Sequence, residues 1–138
     1  MYRKSRINKV EPMPKKQFNK IKKAFQRHGG LIQQNEETDE YLSRKQVEGI
    51  TYNENTILLR RKPGRASVFE ELIHTYQYKM GKIDGTERSR ILAEIEAQEK
   101  LIKFSKVYKL TESEIVQTRI ALENYKKDLA LIDKEMMI

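Results

Sequence analysis

Two β-rich runs constrain this chain more than anything else in it. Gly49-Ile50-Thr51-Tyr52 and Thr56-Ile57-Leu58-Leu59-Arg60 are separated only by Asn53-Glu54-Asn55. Runs of this kind joined by a short asparagine-containing turn read as a β-hairpin. Pro63-Gly64 breaks the chain after the hairpin, and a helical pattern runs from about Arg65 to Met80. Gly81-Lys82-Ile83-Asp84-Gly85 reads as a loop, and Thr86 caps a long helix extending to about Tyr108. Thr111 caps the last helix, because Thr111-Glu112-Ser113-Glu114 has the form of a capping box.

Upstream, Phe18, Ile21 and Phe25 recur at helical spacing between Pro14 and His28, and Gly29-Gly30 ends that helix. Leu31-Ile32-Gln33 is a candidate short strand, and Asn35 caps a short helix over Glu36 to Val47. The order is helix, short strands, then three helices. That order predicts a mainly helical α+β fold, a small sheet with helices packed on it. An antiparallel bundle of the three C-terminal helices is the alternative. Residues 1–14 lack periodicity, contain Pro12 and Pro14, and read as a basic N-terminal arm or linker. Residues 15–138 read as a single domain, in keeping with the 138-residue length.

Charge sets the N-terminal region apart. Residues 1–30 hold ten bases and one acid, which leaves 18 of the 28 bases and 19 of the 20 acids for the rest. The body is therefore nearly neutral, and the +8 net charge belongs to residues 1–30. Such a segment suits phosphates, hence nucleic acid, or an acidic partner protein; a solvated leader is the alternative. The absence of cysteine excludes disulfides, thiolate metal sites and cysteine nucleophiles. No apolar run approaches the roughly 20 residues of a membrane span. The basic start Met1–Arg6 precedes no apolar segment, so it is not a secretory signal. The expectation is a protein that is cytoplasmic as made, with any delivery into a target cell depending on a larger polypeptide.

Chemistry concentrates on the helix after the hairpin. At about 100° per residue, Phe69, Leu72, Ile73, Tyr76 and Met80 fall on one apolar stripe, with Glu70, His74 and Gln77 in the sector beside it. Glu70 and His74 are four residues apart, so their Cβ atoms lie roughly 6 Å apart on one face, a spacing that lets two side chains hold one metal ion. Zinc hydrolases use this geometry in His-Glu-x-x-His, where the Glu at i+1 is the general base towards water. Here the motif reads Glu-Glu-Leu-Ile-His, with a carboxylate in place of the first imidazole. A more oxygen-rich set also suits manganese or magnesium. An ordinary helix-face pair is the competing reading. A downstream acidic cluster, Glu94-Ile95-Glu96-Ala97-Gln98-Glu99, offers a third ligand from another helix.

Phe69-Glu70-Glu71-Leu72-Ile73-His74-Thr75-Tyr76-Gln77, followed by Glu94-Ile95-Glu96-Ala97, resembles zincin-like metallopeptidase domains. The similar groups are C-terminal toxin domains of bacterial polymorphic toxins and phage head-morphogenesis-associated proteins. The resemblance implies His74 as a metal ligand, Glu71 as the base and Glu96 as the downstream ligand, with Glu94 as its alternative. Glu70 stands where the first histidine ligand would be. It also implies zinc as the ion, delivery into a rival cell, and a cognate immunity protein.

Three functions follow as expectations: a metal-dependent, peptidase-like effector or toxin; a metal-dependent nuclease using the basic arm; and an inactive zincin-like phage or interaction module. Arg60, Arg61 and Arg65 surround the start of the site helix and form a candidate anion site, with a solvated turn as the alternative. Tyr76 is expected in the core, and Tyr78 within reach of the site.

Overall fold

The structure, a computed structural model, describes residues 2–4 and 11–137. Its elements in chain order are β1 (Tyr2–Lys4), α1 (Lys15–Arg27), β2 (Leu31–Gln33), α2 (Glu36–Lys45), β3 (Val47–Thr51), β4 (Thr56–Leu59), α3 (Arg65–Lys79), α4 (Glu87–Lys103) and α5 (Glu112–Met136). The mainly helical α+β class expected from the sequence is the one observed. The strands form one sheet in the order β1-β3-β4-β2. The hairpin pairs Ile50 with Leu58 and Thr51 with Ile57, while β2 lies parallel to β4 and β1 antiparallel to β3.

Local chemistry explains most boundaries. Asn35 accepts from the Thr38 amide, and Thr86 accepts from the Ser89 amide, each satisfying an otherwise unpaired N–H in a first helical turn. The capping box at Thr111 and Glu114 forms as expected. Its glutamate does more than that: Glu114 Oε2 accepts the Ala66 amide at 2.6 Å, so one carboxylate caps both α5 and α3. This supplies what Gly64, with no side chain, cannot.

Two boundaries differ from the sequence reading. Gln46 takes a left-handed conformation that ends α2 at Lys45, and Val47 opens β3 instead of closing the helix. The long helix stops at Lys103 rather than Tyr108, and Lys109, at φ 56°, turns the chain into α5.

β4 is covered on both faces. Ile57 and Leu59 join Met13, Phe18, Ile32 and Val68, whereas Leu58 joins Leu42 and Val47. A third cluster, around Ala66, Ile73, Ala97, Leu101 and Leu110, fastens α4 to α3. α5 packs along α4 in turn.

The expected arm at residues 1–14 lies partly inside this fold. Tyr2–Lys4 adds a strand to β3, and Met13 is buried beside a Pro12–Gly64 bridge. Residues 5–10 lie outside the described residues. Among the described residues, no helix is long and apolar enough to cross a membrane.

Candidate metal centre

The inward face of α3 is polar. Glu70, Glu71, His74 and Gln77 are all buried to 1% exposure or less, whereas Tyr76, expected in the core, and Met80, read on the apolar stripe, are 50% and 56% exposed. The apolar stripe read from the sequence is therefore only partly internal. α3 is enclosed by the sheet on one side and α4 on another, so the sector beside the stripe is the deepest part of the helix. Tyr76 instead lies under the Lys100 ammonium, 5.4 Å from its ring centroid.

Glu94 enters from α4. Its Oε1 stands 2.8 Å from His74 Nε2, and its Oε2 accepts a hydrogen bond from the Tyr125 hydroxyl at 2.9 Å. Gln98, one turn further on α4, donates to Glu70 Oε1. Ligand atoms of Glu70, His74 and Glu94 all lie within 4.8 Å of one another. Two ligands at about 2.1 Å from an ion can stand roughly 4.2 Å apart, so small side-chain rotations suffice to close the set around a cation.

The expected ligand Glu96 is not in this group; its stated alternative, Glu94, is. Two residues along a helix amount to about 200° of rotation, so the two glutamates cannot share a face. Burial of Ala97 and Leu101 against α3 fixes which face turns inward. Glu96 points outward instead, accepting from Gln77 Nε2 at 2.9 Å and from Lys82 Nζ at 2.9 Å. The Gln77 and Lys82 contacts outweigh partial burial and lower its pKa.

Gln77 settles the tautomer of His74. Its Nε2 donates to the Ala93 carbonyl and to Glu96, both at 2.9 Å, which makes Oε1 the end facing the imidazole. His74 Nδ1 therefore donates to Gln77 Oε1 at 2.7 Å, and Nε2 is left for Glu94 or for a metal. At 2.8 Å, Nε2 and Glu94 Oε1 form a buried ion pair when the imidazole is protonated. Glu70 Oε2 and Glu71 Oε2 are buried without a hydrogen-bond partner among the described residues. Buried polar atoms are normally paired, so two unpaired carboxylate oxygens beside this ion pair make the cluster a candidate cation site.

Electrostatics agree. Burial raises the Glu70 pKa, and the Glu94 charge adds to this against the opposing pull of Arg3. Burial, then the Glu70 charge, pushes Glu71 up to about 8. Burial alone would lower His74, but contact with Glu94 and the charges of Glu71 and Glu70 carry it to about 9. Three carboxyl groups stand around one imidazole and the Arg3 guanidinium, an acid-rich set whose ionised form a divalent ion would stabilise.

No protein-family model, no curated protein and no solved structure matches this chain. The centre therefore stands on its geometry.

Glu71 sits apart from the three-ligand group, on the sheet side of α3. The Thr51 hydroxyl donates to its Oε1 at 2.9 Å. Gly49 makes this approach possible: a Cβ there would meet Leu59 Cδ2 at 2.9 Å, the Leu58 carbonyl at 3.1 Å and Glu71 Cγ at 3.2 Å. Gly49→Ala is expected to cost about 1–3 kcal/mol by overpacking, measured by urea denaturation. A cost near zero would show that helix and sheet have room to spare.

The three arginines expected to hold an anion are engaged elsewhere. Arg60 pairs with Glu48 and donates to the Val47 carbonyl and Ser43; Arg61 pairs with Asp39 at 2.7 Å; Arg65 stands 3.8 Å from Glu11. Together they staple the segment after β4 to its surroundings. Of the basic residues on α1, Lys15, Lys16, Lys20, Lys23 and Arg27 are exposed. Gln98 lies at i+4 from Glu94, so a helical wheel of α4 could have found it. Nothing in the sequence pointed to Thr51, Tyr125 or Arg3.

Proposed function

We propose that this domain is a metal-dependent hydrolase of zincin type, in which Glu70, His74 and Glu94 hold the ion and Glu71 takes a proton from water. The observation that carries the reading is the convergence of these three buried side chains, whose ligand atoms lie within 4.8 Å of one another with Glu70 Oε2 unpaired. A bound divalent cation supplies Lewis acidity and makes water acidic enough to react near neutral pH.

The chain's own residues have separable tasks. Gln77 orients the imidazole, while Gln98 and Tyr125 orient the Glu70 and Glu94 carboxylates. Such supporting contacts are what hold ligand geometry at metal sites. The base role of Glu71 rests on the resemblance of Phe69–Gln77; its Oε1 accepts from the Thr51 hydroxyl and its Oε2 is unpaired. Two carboxylates and one imidazole suit zinc, and manganese or magnesium as alternatives. A peptide bond as substrate, the effector or toxin role and the immunity partner rest on the resemblance of Phe69–Gln77 and Glu94–Ala97.

Elemental analysis of protein purified without a metal-affinity tag tests the reading. The expected content is about one equivalent of a divalent metal, retained in Glu71→Gln and in Glu96→Gln. Glu71→Gln should nevertheless lose about 10²–10⁴-fold of its hydrolysis of an unfolded protein substrate. Protein that arrives metal-free and takes up neither zinc nor manganese in a titration overturns it.

A further inference from the structure

Arg3 is carried by β1 into the interior, where it is 6% exposed. Its Nη2 donates to Thr118 Oγ1 at 2.8 Å and Gln117 Oε1 at 3.1 Å, with the Glu114 carbonyl at 3.5 Å. Its Nη1 reaches Gln98 Oε1 at 3.4 Å and Glu70 Oε1 at 3.5 Å. Acceptors from α3, α4 and α5 thus form a socket around one guanidinium, next to a proposed metal ligand.

The occupant is held less firmly than the socket is built. β1 is three residues long, lies at the sheet edge, and breaks register between Arg3 and Lys4. A dedicated arginine–carboxylate pair is usually bidentate at about 2.7–2.9 Å. Here a single nitrogen approaches Glu70 at 3.5 Å, and Glu70 Oε2 stays unpaired. Beside the socket lies a cavity of about 260 Å³, lined among others by Arg3, Glu70, Gln98, Gln117, Tyr125 and Asp128. It brings open space to the edge of the buried cluster.

We propose that this socket is an arginine subsite for an extended peptide, and that Arg3 fills it in cis. The ligand adds as a strand along β3, using the backbone edge that β1 otherwise covers. It places an arginine side chain against Thr118, Gln117 and Glu70. This names a substrate class for the centre; cleavage beside the arginine rests on the hydrolase reading, whereas binding does not.

The test uses the full chain in EDTA, titrated by calorimetry with Ac-Tyr-Arg-Lys-NH2 and, as control, Ac-Tyr-Ala-Lys-NH2. Arg3→Ala, which vacates the socket, is expected to bind the arginine peptide at least tenfold more tightly than the control. The unmodified chain, whose own segment competes at an effective concentration of about millimolar, should bind it at least tenfold more weakly than the variant does. Arg3→Lys leaves the socket intact but replaces the guanidinium fork with a single ammonium, and should give intermediate binding even if Arg3→Ala fails to fold. Equal affinity for both peptides, or no binding to whichever variants fold, overturns the subsite. Adding zinc then separates the two ideas. Arginine-selective binding without cleavage sustains the subsite against the hydrolase, and cleavage indifferent to arginine does the reverse.

Discussion

His74→Ala is expected to abolish metal binding and to destabilise the metal-free protein by about 3–5 kcal/mol, the usual cost of stripping one partner from a buried charged pair. The imidazole is fully buried, and it stands 2.8 Å from Glu94 Oε1. Without it, Glu94 keeps the Tyr125 hydroxyl but loses the group that offsets its charge. For a chain of this size the melting temperature should fall by roughly 10–15 °C. Denaturation in EDTA reads the stability term, and elemental analysis reads the metal. The unmodified protein should gain about 2.7 kcal/mol when free metal stands a hundredfold above its Kd, and the variant nothing. A variant as stable as its parent in EDTA would mean that solvent reaches the site and the burial described above is wrong.

The second large effect has the opposite sign. Glu70→Met, His74→Leu and Glu94→Met combined should leave the metal-free fold as stable as before, or more stable by about 1–4 kcal/mol, because apolar groups of similar volume escape the desolvation cost of a buried ionic cluster. Arg3 keeps its two short bonds to α5 in this variant. Urea denaturation in EDTA decides the matter. A loss of several kcal/mol would make the cluster a structural element rather than a cation site. Read together, the single and triple variants distinguish a site that costs stability from one that supplies it.

Much of the fold was legible because it is written locally. The hairpin, the caps at Asn35, Thr86 and Thr111, and the capping-box glutamate depend on residues a few positions apart. The pairing of Glu70 with His74 was legible for the same reason, as one turn of a helix fixes it. The choice between Glu94 and Glu96 was not. It depends on the rotation of α4, which Ala97 and Leu101 set by packing on α3. Tyr76 and Met80 misled because an apolar stripe marks the buried face only when a helix is covered on one side, and α3 is covered on more than one. The arginines at 60, 61 and 65 looked free because their acidic partners, Glu48, Asp39 and Glu11, come from other parts of the chain. Arg3 was out of reach altogether, since its acceptors, from Glu70 to Thr118, lie 67 to 115 positions away.

The Gln77 side chain joins two worlds that burial alone would keep apart. From His74 the contacts run through Gln77 to Glu96 and on to Lys82, in steps of 2.7, 2.9 and 2.9 Å. The last two side chains are 34% and 45% exposed. The imidazole is thus sealed from water yet wired to an ion pair on the surface, so its orientation has an anchor that solvent can feel.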